Sequence, residues 1–295
     1  MVNMVSRGKR KGSVWRCISP ILIYWILMSA ASAVVMFMYY MEQGVYNTTG
    51  MAMEELIDQI TASMLEDLSV LNFRAMTVGY ILLIPVFVFM YVQDKMRDFV
   101  NGADDLDGKS APFYMYAFLV FLGAASCVAA SNMISMSGLV EASESYSSAV
   151  SVLYSGGIFA ESVVLGLIAP TAEELLFRGL VYRRLKELNP TIPAMVFASL
   201  IFALLHGNLV QGIYAFIMGI LLCYVYERYQ SISAPIIMHM SSNLMAVAAS
   251  ETHMLDFMYS STGAFYIATF VFCIVIIGVI YLIERYVRPV TEEVG

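Results

Sequence analysis

Apolar runs of about 20 residues recur along the chain, and they restrict its fold more than any other feature of the sequence. The hydrocarbon core of a bilayer is about 30 Å thick, and roughly 20 helical residues cross it. Helices satisfy all of their own backbone groups inside lipid. Of the 295 residues, 60% are hydrophobic and 13% are charged, whereas a soluble domain has about 25% charged residues. The sequence therefore predicts an all-α, polytopic membrane helical bundle.

Eight of these runs are candidate transmembrane helices. The fourth continues as a helix to about residue 188, and the fifth is short. We predict spans at residues 17–40, 75–93, 112–134, 155–178, 191–206, 209–226, 232–250 and 263–284.

Basic residues are distributed unevenly between the predicted loops. The N-terminal segment holds five Lys and Arg residues, and the loops on the opposite side hold one, Arg74. Because basic residues favour the cytoplasmic side, an N-in/C-in orientation is predicted. The short cytoplasmic loops and the acidic outer loop suggest a bacterial cytoplasmic membrane. A net charge of -7 and the lack of a large basic patch argue against a nucleic-acid partner.

The first outer loop contains a candidate amphipathic helix within residues 51–72. Its apolar residues recur at helical spacing, and its acidic residues occupy the other faces. A helix on the membrane interface is the simplest interpretation, and a lid over a substrate site is the alternative. The apolar positions are Ile57, Ile60, Met64, Leu68 and Leu71.

The segment 170–178 places two carboxylates and an arginine directly after an apolar run. An ionisable residue inside a membrane costs about 2.5–3.5 kcal/mol on insertion scales and usually marks a function. Glu173 and Glu174 point about 100° apart on a helix. Glu174 and Arg178 have the i, i+4 spacing of an ion pair, which leaves Glu173 as the working carboxylate. The alternative is a charge cluster that only sets topology.

Pro170 precedes the two glutamates and is expected to alter the helix there. Proline lacks the backbone N–H that an α-helix would direct at the carbonyl of Gly166. The sequence predicts a kink that opens the helix on the face of the candidate site.

Three further polar residues are buried deeply enough to be partners of Glu173. His206 and Glu173 are equally distant, in residues, from the Asn189-Pro190 turn, so an antiparallel hairpin brings them to a similar depth. His239 and Asn243 share one face of a later span at i, i+4. A lone histidine after an apolar helix is more often a hydrogen-bonded core residue, but the convergence of three helices favours a site.

Two mechanisms suit one carboxylate, two imidazoles and one amide. Glu173, His206 and His239 could hold Zn²⁺ or another divalent metal with an open position for water. Alternatively, a desolvated Glu173 acts as general base while the histidines and Asn243 stabilise an oxyanion without metal. Both lead to hydrolysis of an amide. No serine or cysteine has the setting of a nucleophile.

The motifs E-E-x-x-x-R (Glu173, Glu174, Arg178), F-x-x-x-H (Phe202, His206) and H-x-x-x-N (His239, Asn243) follow one another on successive helices. In this order they resemble the CPBP family, which contains type II CAAX prenyl endopeptidases and bacteriocin-processing or self-immunity proteins. The resemblance covers about residues 160–250.

This resemblance implies a glutamate-dependent or metal-dependent intramembrane endopeptidase that acts on a peptide or membrane-protein substrate. Glu173 would activate water, His206 and His239 would bind metal or stabilise the intermediate, and Asn243 would assist the oxyanion. Three segments are predicted accordingly: N-terminal membrane helices with the outer-loop helix (1–150), a CPBP-like catalytic core (151–260), and a final membrane helix with its tail (261–295).

Two other functions use the same residues. A non-catalytic immunity or scaffold protein could bind a peptide toxin or a partner helix in the same cavity. A transporter could use the buried Glu and His residues as a proton relay, although the sequence lacks clear inverted repeats. The oligomeric state is left open.

Overall fold

The computed structural model describes residues 13–46, 53–101, 111–252 and 254–287, and every regular element in these residues is helical. Short 3₁₀ helices, Phe113–Tyr116 and Asp256–Tyr259, precede the fourth and the last of the longer helices. The longer helices are α1 (Val14–Tyr46), α2 (Met53–Glu66), α3 (Leu68–Val100), α4 (Ala117–Ser135), α5 (Glu144–Leu153), α6 (Ile158–Lys186), α7 (Thr191–Leu204), α8 (Leu209–Tyr229), α9 (Ser233–Glu251) and α10 (Thr262–Tyr286).

Each predicted span coincides with a helix, but fewer than eight helices meet the requirements for crossing a membrane. In the described residues, α1, α3, α4 with its preceding turn, α8 and α10 are long and apolar enough, and the bent pair of α5 and α6 raises the number from five to six. Helix α7 has 14 residues, fewer than the roughly 20 that a bilayer needs. Helix α9, which carries His239 and Asn243, is also not among the helices that meet these requirements. The all-helical fold is thus confirmed, and the count of eight is not.

The N-in/C-in orientation stays a prediction. Most of the N-terminal basic residues and the C-terminal tail lie outside the described residues, and the helices alone do not orient the chain. The outer loop does contain a helix, α2, which begins with Glu54 and Glu55 in its first turn. It ends at Glu66, so two of the predicted apolar positions, Leu68 and Leu71, belong to α3 instead. Its Ile60 is buried, which agrees with an amphipathic helix that packs on the protein with one face.

A sharp bend joins α5 to α6. The two helices meet at an angle of 99°, and Gly157 adopts a φ of +79°, a conformation that favours glycine. The carboxylate of Glu161 accepts hydrogen bonds from the backbone N–H groups of Gly156 and Gly157 at 3.1 and 2.8 Å. The side chain of Glu161 therefore caps the N-terminus of the helix to which it belongs.

Ion pairs tie α1, α3 and α6 together at the end of α6. Asp94 accepts hydrogen bonds from Arg16 and Arg184, each at 2.7 Å. Glu187, just after α6, pairs with Arg16 at 2.6 Å and with Arg97 at 2.9 Å. Apart from Arg97, these side chains are largely buried, so the pairs among them are less screened than surface pairs. The three helices are fixed to one another at this end.

An apolar stripe along α3 packs against α6. Tyr80, Leu83, Phe87 and Tyr91 lie on one face of α3 at helical spacing, and all four are buried in a single core cluster with residues of α6. The stripe sets the distance and rotation of α3 relative to the Glu173-Glu174 segment.

Helices α4 and α9 approach closely at Gly123. A Cβ built on Gly123 overlaps the backbone carbonyl of Met238 and lies 3.1 Å from the Cβ of Ser241. Met238 immediately precedes His239 on α9, so this contact positions one of the candidate site residues.

Gly123→Ala is therefore expected to push α9 away from α4 and to lower the free energy of unfolding by about 1–3 kcal/mol. Gly278→Ala is the matched control, because a Cβ there meets nothing within 4 Å. The control should leave stability unchanged or raise it by up to about 1 kcal/mol. Thermal unfolding in detergent distinguishes the two variants. Equal midpoints for both would contradict the close packing.

Candidate active site

Helix α6 changes register on both sides of the two glutamates. Residues Val164–Ile168 and Leu175–Tyr182 form π-helical turns, and Ala169–Glu174 between them is α-helical. In the first π turn the N–H of Ala169 donates to the carbonyl of Val164, five residues earlier. Such turns are rare and occur often at functional sites.

The first π turn corrects the effect predicted for Pro170. The helix is not interrupted there, since α6 runs from Ile158 to Lys186. In the π register the missing N–H of Pro170 would have reached Leu165, not Gly166 as predicted. The side-chain amide of Asn243 donates to this carbonyl of Leu165 at 2.9 Å. Asn243 thus satisfies the backbone group that proline leaves without a donor.

Glu174 and Arg178 form a fully buried ion pair. The guanidinium donates to Glu174 Oε1 at 2.8 Å and to the carbonyl of Gly219 at 3.0 Å, and both side chains have 0% exposure. The guanidinium also lies over the ring of Phe202, with Cζ 4.9 Å from its centroid. The predicted i, i+4 pair is present, and it connects α6 to α8.

His239 is oriented by the same carboxylate. Its Nδ1 lies 2.7 Å from Glu174 Oε1. A carboxylate paired with arginine can only accept, so Nδ1 carries the proton and donates. The other ring nitrogen, Nε2, is therefore unprotonated in the neutral ring and available to the cavity. The hydrogen bond to Glu174 fixes the orientation of the ring.

Glu173 points into a cavity, unlike its neighbour Glu174. The hydroxyl of Tyr80 donates to Glu173 Oε1 at 2.5 Å, and Oε2 lies 3.8 Å from His239 Nε2. That separation is too long for a direct hydrogen bond. Tyr80 thus holds Oε1 of the carboxylate, whereas Oε2 is not used in a direct hydrogen bond to His239.

His206 lies in the turn that follows α7, two residues beyond its last residue, Leu204. Its Nδ1 lies 2.8 Å from the carbonyl of Phe202, which can only accept, so Nδ1 is again the donor and Nε2 is unprotonated in the neutral ring. The Phe202 ring contacts both histidines edge-on, with centroid distances of 4.7 Å to His206 and 5.9 Å to His239. Phe202 therefore supports the two imidazoles.

The candidate residues line one cavity of about 540 Å³, a size typical of ligand sites. Glu173, His206, His239 and Asn243 all contribute to its wall, together with residues of α3, α4, α5 and α8. Helix α5 covers part of it, through residues that include Tyr146 and Leu153. No residue of α2 is in the described lining, so the structure places α5 rather than the outer-loop helix over the cavity.

The donor types in the cavity suit a divalent metal, but their positions do not. Glu173 and the Nε2 atoms of both histidines are the ligand types that zinc prefers. In the described part of the chain, however, no three His, Cys, Asp or Glu side chains form a group that could hold a metal ion. The predicted ligand set Glu173, His206 and His239 does not form such a group among these residues.

Tyr80 is a site residue that the sequence did not reveal. Its hydroxyl contacts the central carboxylate, yet it lies far upstream on α3. The only available signal was its position at the end of the apolar stripe of α3, where a tyrosine is indistinguishable from an ordinary core residue.

A family model described as type II CAAX prenyl endopeptidase Rce1-like matches residues 145–245. The similarity to that family covers about a third of the chain. The resemblance seen in the motifs is confirmed. The Rce1-like segment starts in α5, ends in α9 and contains Glu173, His206, His239 and Asn243, whereas Tyr80 lies outside it. No curated protein and no solved structure matches the chain. The apolar helices and the Rce1-like segment together indicate a multi-pass membrane protein.

Proposed function

We propose that the chain is an intramembrane endopeptidase in which Glu173 activates water for hydrolysis of a peptide or membrane-protein substrate. One observation carries the proposal: Glu173 Oε2 and His239 Nε2 lie 3.8 Å apart in the cavity wall, and each group is held from behind by a hydrogen bond. The Rce1-like match supports a protease.

The two atoms can orient one water molecule between them. Both are acceptors when His239 is neutral, so the water donates one hydrogen to each and directs its oxygen lone pair at the substrate carbonyl. Glu173 takes one proton as the new C–O bond forms. It then returns the proton to the leaving nitrogen as the C–N bond breaks, which balances the reaction.

The developing oxyanion needs a donor that neutral histidines do not offer. Both Nδ1–H groups are already used, so Nε2 of either ring could donate only in the protonated form. The amide of Asn243 gives one N–H to Leu165 and has a second. We assign this second N–H to the oxyanion, in addition to the role of Asn243 in the π turn.

A divalent metal is the alternative use of the same Nε2 atoms. Binding of Zn²⁺ would require Glu173, His206 and His239 to move together. Activity lost on chelation and restored by Zn²⁺ would favour this alternative over direct activation of water by Glu173.

The proposed function is tested by comparing peptide termini in membranes of cells that carry the wild type or Glu173→Gln at matched expression. New termini that depend on Glu173 are expected, and they identify the substrate and the cleaved bond. Glu66→Gln, an exposed acid on α2, should give the wild-type profile. Identical profiles for the wild type and Glu173→Gln would favour an immunity or scaffold protein that binds its partner without cleaving it.

A further inference from the structure

We propose that Tyr80, on a helix outside the Rce1-like segment, is a positioning residue that holds Glu173 in its reactive orientation. The inference rests on the proposed function and adds a residue to its site. It is based on the contact between the Tyr80 hydroxyl and Glu173 Oε1 at 2.5 Å, which is shorter than the hydrogen bonds that hold Arg178, His206, His239 and Asn243.

Tyr80 has little freedom to form any other contact. Its side chain is 6% exposed, and a buried phenol requires a hydrogen-bond partner. The stripe of Leu83, Phe87 and Tyr91 anchors α3 against α6. At the far end of α3, Asp94 pairs with Arg184 of α6. The phenol therefore reaches the carboxylate from a helix that is fixed along its length.

The hydrogen bond decides which oxygen of Glu173 is free. An ionised carboxylate accepts an O–H strongly at this distance, so Oε1 stays with Tyr80 and Oε2 stays 3.8 Å from His239 Nε2. Without the phenol, the side chain of Glu173 can rotate about its three torsions. Oε2 would then no longer be held at the position from which it shares one water with His239 Nε2.

A second hydroxyl extends the arrangement to α1. Tyr24 lines the same cavity, and its hydroxyl lies near that of Tyr80. Helices α1 and α3 thus contribute side chains to a site whose motif residues all lie between residues 145 and 245. The candidate site is complete only with the N-terminal helices.

The test is the kinetics of purified Tyr80→Phe in detergent, with a peptide that spans the bond identified from cellular termini. We expect kcat to fall about 10–100-fold, since a small misplacement of a catalytic group has effects of this size. KM should change less than about twofold, because the substrate-binding surface is retained. Rates are normalised to the folded fraction from thermal unfolding.

Tyr229→Phe is the matched control. Tyr229 is a buried tyrosine whose hydroxyl donates to the carbonyl of Met115 at 2.9 Å, away from the cavity lining. The Tyr229→Phe variant should lose about as much stability as Tyr80→Phe, about 1 kcal/mol, and keep the wild-type kcat. An unchanged kcat in folded Tyr80→Phe, or a rise in KM alone, would overturn the proposal.

Two further outcomes are separable. If the wild type cleaves no peptide, the proposed function itself fails, whatever Tyr80 does. If Tyr80→Phe does not fold, Tyr24→Phe removes the neighbouring hydroxyl instead. A lower kcat at unchanged KM in that variant supports the positioning role, and a wild-type kcat overturns it.

Discussion

Glu173→Gln is expected to lower the rate of peptide cleavage by about 10³-fold while the protein stays folded. General acid–base catalysis contributes about 10²–10⁴-fold, and glutamine cannot accept and return the proton. The amide oxygen can still accept the hydrogen bond from Tyr80. Stability should therefore change by less than about 1 kcal/mol.

The measurement is kcat/KM of the purified variant together with its thermal unfolding midpoint. Glu66→Gln, the exposed acid on α2, controls for the loss of one negative charge and should keep full activity. A Glu173→Gln protein with more than about a tenth of the wild-type rate would exclude Glu173 as the essential base. A large drop in its midpoint would mean that Glu173 acts mainly in folding.

Arg178→Leu is expected to have the opposite profile, with a severe loss of stability. It would leave the carboxyl group of Glu174 buried and without its cation. Breaking a buried pair in this way costs about 3–5 kcal/mol, a large fraction of the roughly 5–15 kcal/mol that stabilises a typical protein. The carbonyl of Gly219 also loses a donor.

The expected readout is a much lower unfolding midpoint or a failure to accumulate in membranes. Arg285→Leu, an exposed cation near the end of α10, should behave as wild type. Adding Glu174→Leu to Arg178→Leu should recover part of the loss, because the double variant leaves no unpaired charge. If the double variant lost as much stability as the two single variants together, the ion pair would not be the cause.

The sequence predicted those parts of the molecule that follow from composition and regular helical spacing. Hydrophobic run length placed the helices that coincide with the eight predicted spans, and the i, i+4 rule identified the Glu174–Arg178 pair. The angle of about 100° between adjacent helical residues separated the roles of Glu173 and Glu174. All of these features depend on residues within one helix.

The remaining features depend on contacts between helices or on irregular backbone. A rule based on α-helical periodicity cannot anticipate the π turns of α6, and it therefore assigned the carbonyl released by Pro170 to Gly166 instead of Leu165. Tyr80 reaches Glu173 only through the packing of α3 on α6. The bend before α6 depends on Gly157 and on Glu161, whose capping role has no periodic signal.

The ion pairs around Asp94 also determine where the protein can yield. Helices α1, α3 and α6 are fastened together at the Lys186 end of α6, so they behave there as one stiff body. At the opposite end α6 begins at a 99° joint with α5, and α5 supplies part of the cavity wall. A change in this bend would therefore alter the width of the cavity without disturbing the ion pairs at the other end of α6.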